Sequence, residues 1–159
     1  MVAQKTTDLV IKRVFDAPRE AVWKAWTDPE SMKKWWGPEN FTCPTAKLDV
    51  RVGGKMLLCM RDPDGNDYWS TGIFQEIVPY EKLVFTDSFA DAEGNVVPAS
   101  HYGMSGIPME LLVTITFEDL GGKTRMTLIH SGFPEGEHKD GARDGWSTSL
   151  EKLEKSLMV

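Results

Sequence analysis

The spacing of apolar and polar positions near the beginning of the chain predicts one strand followed by two short helices. Residues 8–15 form a short run rich in β-branched side chains, and Asp16 and Pro18 after them suit the first turn of a helix. Apolar residues then recur at helical spacing over residues 18–27. Asp28 followed by Pro29 repeats this signal and predicts the start of a second helix.

The pattern then changes to alternating strands separated by turn residues. Asp64-Gly65-Asn66 and Gly121-Gly122 supply the positive φ angles of hairpin loops, so consecutive strands are expected to pair antiparallel as a meander. The six predicted strands span residues 41–50, 54–62, 67–78, 82–89, 109–118 and 123–131.

The segment 90–108 is long for a connection within one domain and contains several glycines and prolines. Long loops of this kind are usually functional or mobile. His101 and Tyr102, with Met104 nearby, therefore suggest part of a mouth or lid, although a solvated loop explains them equally well.

The last predicted element is a long helix from about Glu137 to Leu157 with one apolar face. This amphipathic pattern indicates that the helix lies on the sheet. Its apolar stripe comprises Ala142, Trp146, Ser149, Leu150, Leu153 and Leu157, and its polar side comprises Asp140, Asp144, Glu151, Glu154 and Lys155.

Strand alternation places two polar residues, Asp87 and His130, among inward-facing apolar neighbours. A charge or imidazole in such surroundings is costly unless it is hydrogen-bonded or neutralised. The two residues either satisfy each other or the backbone and organise the core, or they hold the polar end of a ligand or move a proton. They are the candidate catalytic residues. In residues 67–78 the odd- and even-numbered positions are equally apolar, so the pattern does not indicate which face of the sheet Trp69 and Phe74 occupy.

Small residues on the last helix give a separate indication. Gly141, Gly145 and Ser149 recur four residues apart beside the apolar stripe, and a glycine inside a helix costs about 0.5–1 kcal/mol relative to alanine. They predict either a cavity between helix and sheet or close packing of the helix. The residues expected to contact a ligand are Met56, Leu58, Met60, Trp69, Phe85, Asp87, Tyr102, Leu111, Val113, Phe117, Leu128, His130, Gly145, Trp146 and Ser149.

Composition narrows the class of protein. The 159 residues suit one domain, and 18 Lys and Arg residues against 24 Asp and Glu residues give a net charge of -6. Nucleic acid and anionic membrane surfaces are therefore not expected partners. The chain has only two cysteines, Cys43 and Cys59, with no zinc or redox spacing, which favours reduced thiols and a cytoplasmic location. The 6 Trp, 7 Phe and 8 Met residues suggest a large, adaptable apolar interior.

The sequence lacks the signals of several kinds of segment and site. The opening residues lack the pattern of a signal peptide, and no window approaches the roughly 20 apolar residues of a membrane span, so neither export nor insertion is predicted. The three histidines have no metal-ligand spacing, and phosphate-binding and nucleophile-elbow motifs are missing. We therefore expect neither a metal nor a cofactor.

Longer runs of the sequence resemble one family. The run IKRVFDAPREAVWKAWTDPESMKKWWGP is similar to the opening of the activator of heat-shock-protein-ninety ATPase homologue family, a branch of the START-like, or SRPBCC, superfamily. VGGKMLLCMRDPDG, GIFQEIVPYEKLVFTDSF, LLVTITFED, GKTRMTLIHSGFP and GWSTSLEKL follow in family order, so the resemblance covers nearly the whole chain.

The resemblance implies an α+β helix-grip fold. In this fold a curved antiparallel sheet of about seven strands wraps on the long C-terminal helix, with two short helices after the first strand, around a hydrophobic tunnel. We expect residues 1–159 to form one such domain. The eukaryotic prototype also has a separate N-terminal domain that contributes to chaperone contact, and this sequence has no counterpart of it, so the family name is not expected to give the function.

Three functions remain open at this stage. The first is binding of a small hydrophobic molecule, such as a lipid, a polyketide or an aromatic metabolite, with Asp87, His130 and Tyr102 orienting its polar group. The second is a cyclase or hydrolase in which the inward His130, tuned by Asp87, acts as general acid or base. The third is a co-chaperone-like interaction domain that uses its outer surface.

Overall fold

The computed structural model describes residues 6–134 and 136–158. Residues 1–5, on which part of the expectation about export rests, lie outside the described residues. The elements are β1 Thr6–Phe15, α1 Arg19–Thr27, α2 Pro29–Met32, β2 Thr42–Leu48, β3 Lys55–Arg61, β4 Asp67–Val78, β5 Lys82–Ala90, a 3-10 helix Ala99–Tyr102, β6 Leu111–Asp119, β7 Thr124–Pro134 and α3 Glu137–Ser156.

The seven strands form one antiparallel sheet in the order β1-β7-β6-β5-β4-β3-β2. Strands β2 to β7 follow one another as a meander, as the turn residues predict. The first strand then pairs with the last, in a register that places Leu9 opposite His130. The predicted α+β helix-grip architecture is therefore confirmed, with strand ends that differ from the prediction by at most three residues.

The start of α2 shows why the chain turns there. The carboxylate of Asp28 accepts hydrogen bonds from the backbone N–H and the hydroxyl of Ser31, at 3.0 and 2.7 Å, and Pro29 occupies the first turn. This cap satisfies a backbone donor that the helix itself leaves free. The same contacts hold the pKa of Asp28 below its ordinary value.

The main core lies between the concave face of the sheet, α1, α2 and the C-terminal half of α3. Leu150 and Leu153 of α3 are fully buried there, together with Trp26 and Trp35. Apolar burial of this kind is the main favourable term in folding. The predicted polar side of α3 is exposed except at Glu154, which is half-buried because it accepts a hydrogen bond of 2.9 Å from Arg13 of β1.

Burial follows the predicted alternation along β6 and β7, whereas in β5 residues 83–86 are all buried and the predicted inward residues Asp87 and Phe89 are only partly buried. Leu128 and Val113 are fully buried, and His130 is 5% exposed. In β4 the structure places Phe74 in the core. Trp69 therefore points to the opposite face of the sheet, because side chains five residues apart in a strand alternate.

Candidate functional site

A cavity of about 450 Å³ lies between the sheet and the N-terminal half of α3. Its walls come from β3, β4, β5, β6 and β7, from α3, from the segment after α2 and from the loop before β6. The lining residues are Trp36, Gly37, Pro38, Phe41, Met60, Tyr68, Ser70, Asp87, Ser88, Phe89, Met104, Ile107, Pro108, Leu111, His130, Phe133, Glu137, His138, Gly141, Ala142, Gly145, Trp146 and Ser149.

The helix glycines contribute to this cavity. A Cβ added at Gly141 would meet no heavy atom within 4 Å, which is open space. At Gly145 the nearest atom would be Cγ of Pro38 at 3.5 Å, an ordinary van der Waals contact. Both residues line the cavity. There is therefore open space at Gly141, whereas at Gly145 a side chain would make only an ordinary contact with the neighbouring loop.

One wall of the cavity is fastened to α3 by hydrogen bonds. The hydroxyl of Thr148 accepts a bond of 3.0 Å from the backbone N–H of Glu39, and Nζ of Lys152 donates to the carbonyls of Pro38 and Phe41, each at 3.1 Å. Burial lowers the pKa of the Lys152 ammonium. This lysine therefore fixes the segment between α2 and β2 from outside the cavity, with its charge turned to backbone oxygens.

A chain of three polar side chains crosses the cavity wall. Nε1 of Trp146 donates a hydrogen bond of 3.0 Å to Nδ1 of His130, and Nε2 of His130 lies 2.9 Å from Oδ2 of Asp87. The Asp87 side chain is 27% exposed, whereas that of His130 is 6% exposed. The sequence predicts Asp87 and His130 on the same face of the sheet. In the structure His130 contacts both Asp87 and Trp146 of α3.

These contacts indicate which ring nitrogen of His130 carries the proton. An indole nitrogen is only a donor, so Nδ1 must present a lone pair to Trp146 and the ring proton lies on Nε2. Although Nε2 is close to Asp87, its N–H is not aligned with the carboxylate oxygen, and it has no well-directed acceptor among the described residues. His130 is thus a neutral imidazole whose remaining N–H is buried beside a carboxylate.

Aromatic rings surround this chain. The ring of Trp146 packs 5.5 Å from Trp36, edge to face, and 5.9 Å from Trp26. His130 packs edge to face against Phe133 at 4.6 Å. Such pairs stabilise beyond the area that they bury, and they hold the polar groups in fixed positions.

Tyr102, which the sequence suggests as a ligand contact, has a different place. Its hydroxyl donates to the carbonyl of Ala90 and accepts a bond of 3.1 Å from the backbone N–H of Trp69. Its ring packs against Phe89 and Tyr68, which do line the cavity. The residue supports the wall and fastens the 3-10 helix to the sheet.

The structure divides the predicted ligand contacts into three groups. Met60, Asp87, Leu111, His130, Gly145, Trp146 and Ser149 line the cavity. Met56, Leu58, Phe85, Val113, Phe117 and Leu128 lie in the packed core instead. Trp69 and Tyr102 belong to neither group, because Tyr68 and Ser70 occupy the cavity side of β4 and Tyr102 bonds to the backbone.

Many of the lining residues outside the predicted set come from irregular segments. Trp36 and Phe41 flank the turn after α2, and Ile107 lies in the loop before β6. No periodicity marks such residues. The clustering of tryptophans before Gly37 was the one signal that could have suggested them.

Across the part of the chain that the structure describes, His, Cys, Asp and Glu side chains form no group of three or more that could hold a metal ion. Within residues 6–134 and 136–158, no helix has both the length and the apolar character needed to span a bilayer.

Solved structures of similar shape include a protein of Nitrosomonas europaea, with 28% identity, a TM-score of 0.76 and coverage of 95% of this chain and 94% of that chain. A protein of Arthrobacter aurescens has 28% identity, a TM-score of 0.78 and coverage of 99% and 91%. The AHSA1 protein of Silicibacter pomeroyi has 25% identity, a TM-score of 0.76 and coverage of 96% and 98%. No curated protein matches the chain at a significant level. The family model described as Activator of Hsp90 ATPase homolog 1-like protein matches residues 16–158.

Proposed function

Because the chain belongs to the Activator of Hsp90 ATPase homolog 1-like family, whose fold commonly binds hydrophobic ligands, we propose that it binds a small, largely apolar molecule between α3 and the sheet. The observation that carries this proposal is the cavity of about 450 Å³. Its size falls within the range of about 300–1,000 Å³ that is typical of small-molecule sites.

The character of the walls supports the same function. Six aromatic rings and several aliphatic side chains supply apolar contact, and few polar groups interrupt them. A few convergent polar groups in an otherwise apolar pocket are typical of sites that orient one end of a ligand. Asp87 is placed for this role, since its carboxylate is the more accessible member of the pair with His130.

The same contacts bear on the alternative of acid–base catalysis. To act as a base through Nδ1, His130 would have to give up its hydrogen bond from Trp146, and Nε2 already carries a proton. The carboxylate of Asp87 has free lone pairs and is the better candidate base in this cavity. The geometry therefore favours binding over a reaction that starts with proton abstraction by His130.

The proposal is tested with N-phenylnaphthylamine, an uncharged dye that fluoresces in apolar surroundings, and with native mass spectrometry of the purified protein. Ala142 is half-buried and lines the cavity, so Ala142→Trp fills the space from the helix side. Ser70→Phe fills it from the sheet side. Both variants should reduce dye fluorescence strongly.

The matched control is Arg143→Trp, which adds the same ring at the exposed neighbouring position of α3. It should bind the dye like the unchanged protein. Circular dichroism confirms that each variant keeps its fold. If the unchanged protein carries no copurified molecule and gives no dye fluorescence, or if the filled variants bind the dye as well as the control, the proposal is wrong.

A further inference from the structure

Acidic side chains line the cavity. The acids are Asp87 and Glu137, and within residues 6–134 and 136–158 no lysine or arginine lines the cavity. Lys152, which bonds to the wall segment between α2 and β2, directs its ammonium group to the carbonyls of Pro38 and Phe41. A ligand with a carboxylate or phosphate group would therefore meet like charge without a compensating cation.

His130 does not neutralise Asp87. Its Nδ1 accepts a hydrogen bond from the indole N–H of Trp146, so the ring proton lies on Nε2, and that N–H is poorly aligned with the carboxylate. A second histidine, His138, lines the cavity in the first turn of α3 beside Glu137. The Asp87 carboxylate thus faces the cavity, 27% exposed, and the described lining residues offer it no lysine or arginine as a partner.

The remaining walls suit a positive charge. The aromatic residues Trp36, Phe41, Tyr68, Phe89, Phe133 and Trp146 line the space. The negative face of an aromatic ring attracts cations, and this attraction grows as water is excluded. A carboxylate within an aromatic enclosure is chemically complementary to an organic ammonium group.

From these contacts we propose that the ligand is an apolar amine whose protonated nitrogen binds at Asp87. This inference rests on the proposed function and names its ligand class. An uncharged hydroxyl would satisfy one lone pair of Asp87 but leave its charge unpaired in the apolar cavity, whereas an ammonium group both donates a hydrogen bond and neutralises the charge. The net charge of -6 also attracts cations to the protein.

The test uses four naphthalene probes that differ in one substituent at the same ring position: naphthylmethylamine, naphthylmethanol, ethylnaphthalene and naphthoate. Each is titrated against the protein loaded with N-phenylnaphthylamine, and the loss of dye fluorescence reports binding. We expect the amine to displace the dye at concentrations at least about tenfold below those of the alcohol and of ethylnaphthalene, with naphthoate the weakest probe.

Asp87→Asn supplies the decisive comparison because it removes the charge and keeps the shape. The amine should lose its advantage in this variant, while the affinity for ethylnaphthalene and for the dye stays within about twofold. Glu137→Gln is the matched control: it removes the other lining acid and should leave the preference for the amine in place.

Two failures can be told apart. If every uncharged probe displaces the dye but the amine binds no better than ethylnaphthalene, or if Asp87→Asn retains the preference, the amine assignment is wrong and the cavity still binds ligands. If neither the dye nor any probe binds, the proposed function is wrong and the amine assignment falls with it.

Discussion

The indole Nε1–H of Trp146, on α3, donates a hydrogen bond of 3.0 Å to Nδ1 of His130, on β7. This bond joins the helix to the sheet at the cavity wall and determines which nitrogen of the histidine carries the proton. Because Asp87 lies on the other side of the ring, the helix influences the polar end of the cavity through His130.

Trp146→Phe tests this relationship. The variant keeps a ring in place but removes the donor, so Nδ1 loses its partner and the unfolding free energy should fall by about 1–2 kcal/mol. Nitrogen NMR should show one tautomer in the unchanged protein, with the proton on Nε2, and a mixture in the variant. Trp69→Phe, at a position that does not line the cavity, should leave the tautomer unchanged. A proton on Nδ1 in the unchanged protein would contradict the assigned contact.

Gly141→Ala should stabilise the protein. The new methyl group meets no atom within 4 Å, and alanine restricts the unfolded chain more than glycine does, so we expect a gain of about 0.5–1 kcal/mol in urea denaturation. Gly72→Ala is the contrasting variant, because its Cβ would lie 1.9 Å from the carbonyl oxygen of Thr86, and it should destabilise. A loss of stability for Gly141→Ala would show that its surroundings are not open.

The Asp28 cap predicts a dependence of stability on pH. Hydrogen bonds from Ser31 hold the pKa of Asp28 below its ordinary value of 3.8, so the folded state favours the carboxylate. The resulting stability is present above that ordinary value and is lost as the pH falls through the lower, folded-state pKa. Asp28→Ala should therefore cost about 1 kcal/mol at neutral pH and progressively less in acid.

Urea denaturation at several pH values measures this difference, and Asp28→Asn serves as the control. An asparagine can also cap a helix but does not ionise, so its difference from alanine should stay nearly constant with pH. If the cost of Asp28→Ala is the same at neutral and acidic pH, the carboxylate does not contribute in the way described.

Burial of the two cysteines predicts low reactivity. Cys43 and Cys59 are free and buried, and burial raises the pKa of Cys59 to about 11 and raises that of Cys43 as well. The thiolate is the reactive form, so iodoacetamide should modify both residues slowly in the folded protein at neutral pH and rapidly in urea. Mass spectrometry measures the two rates. Rapid modification of the folded protein would show that the strands around these residues open readily.

The sequence by itself determined the order of the elements and the direction in which most side chains point. The turn residues between strands indicate the meander, and the period of two places Asp87 and His130 on the concave face, where the structure has them. The glycines at 141 and 145 indicated a cavity or close packing beside α3, and the structure has open space at Gly141 and an ordinary contact at Gly145. These features are local, because they depend on backbone geometry and on which neighbours alternate.

Only the tertiary structure decided which inward residues meet a cavity and which meet other side chains. Leu128 and His130 share one face of β7, yet Leu128 is sealed in the core while His130 lines the cavity. Periodicity gives the face of a strand but not the distance to whatever covers it, and that distance depends on how α3 crosses the sheet. The bond from Trp146 to His130 and the aromatic wall from Trp36 depend on the same packing, since they join segments that are far apart along the chain.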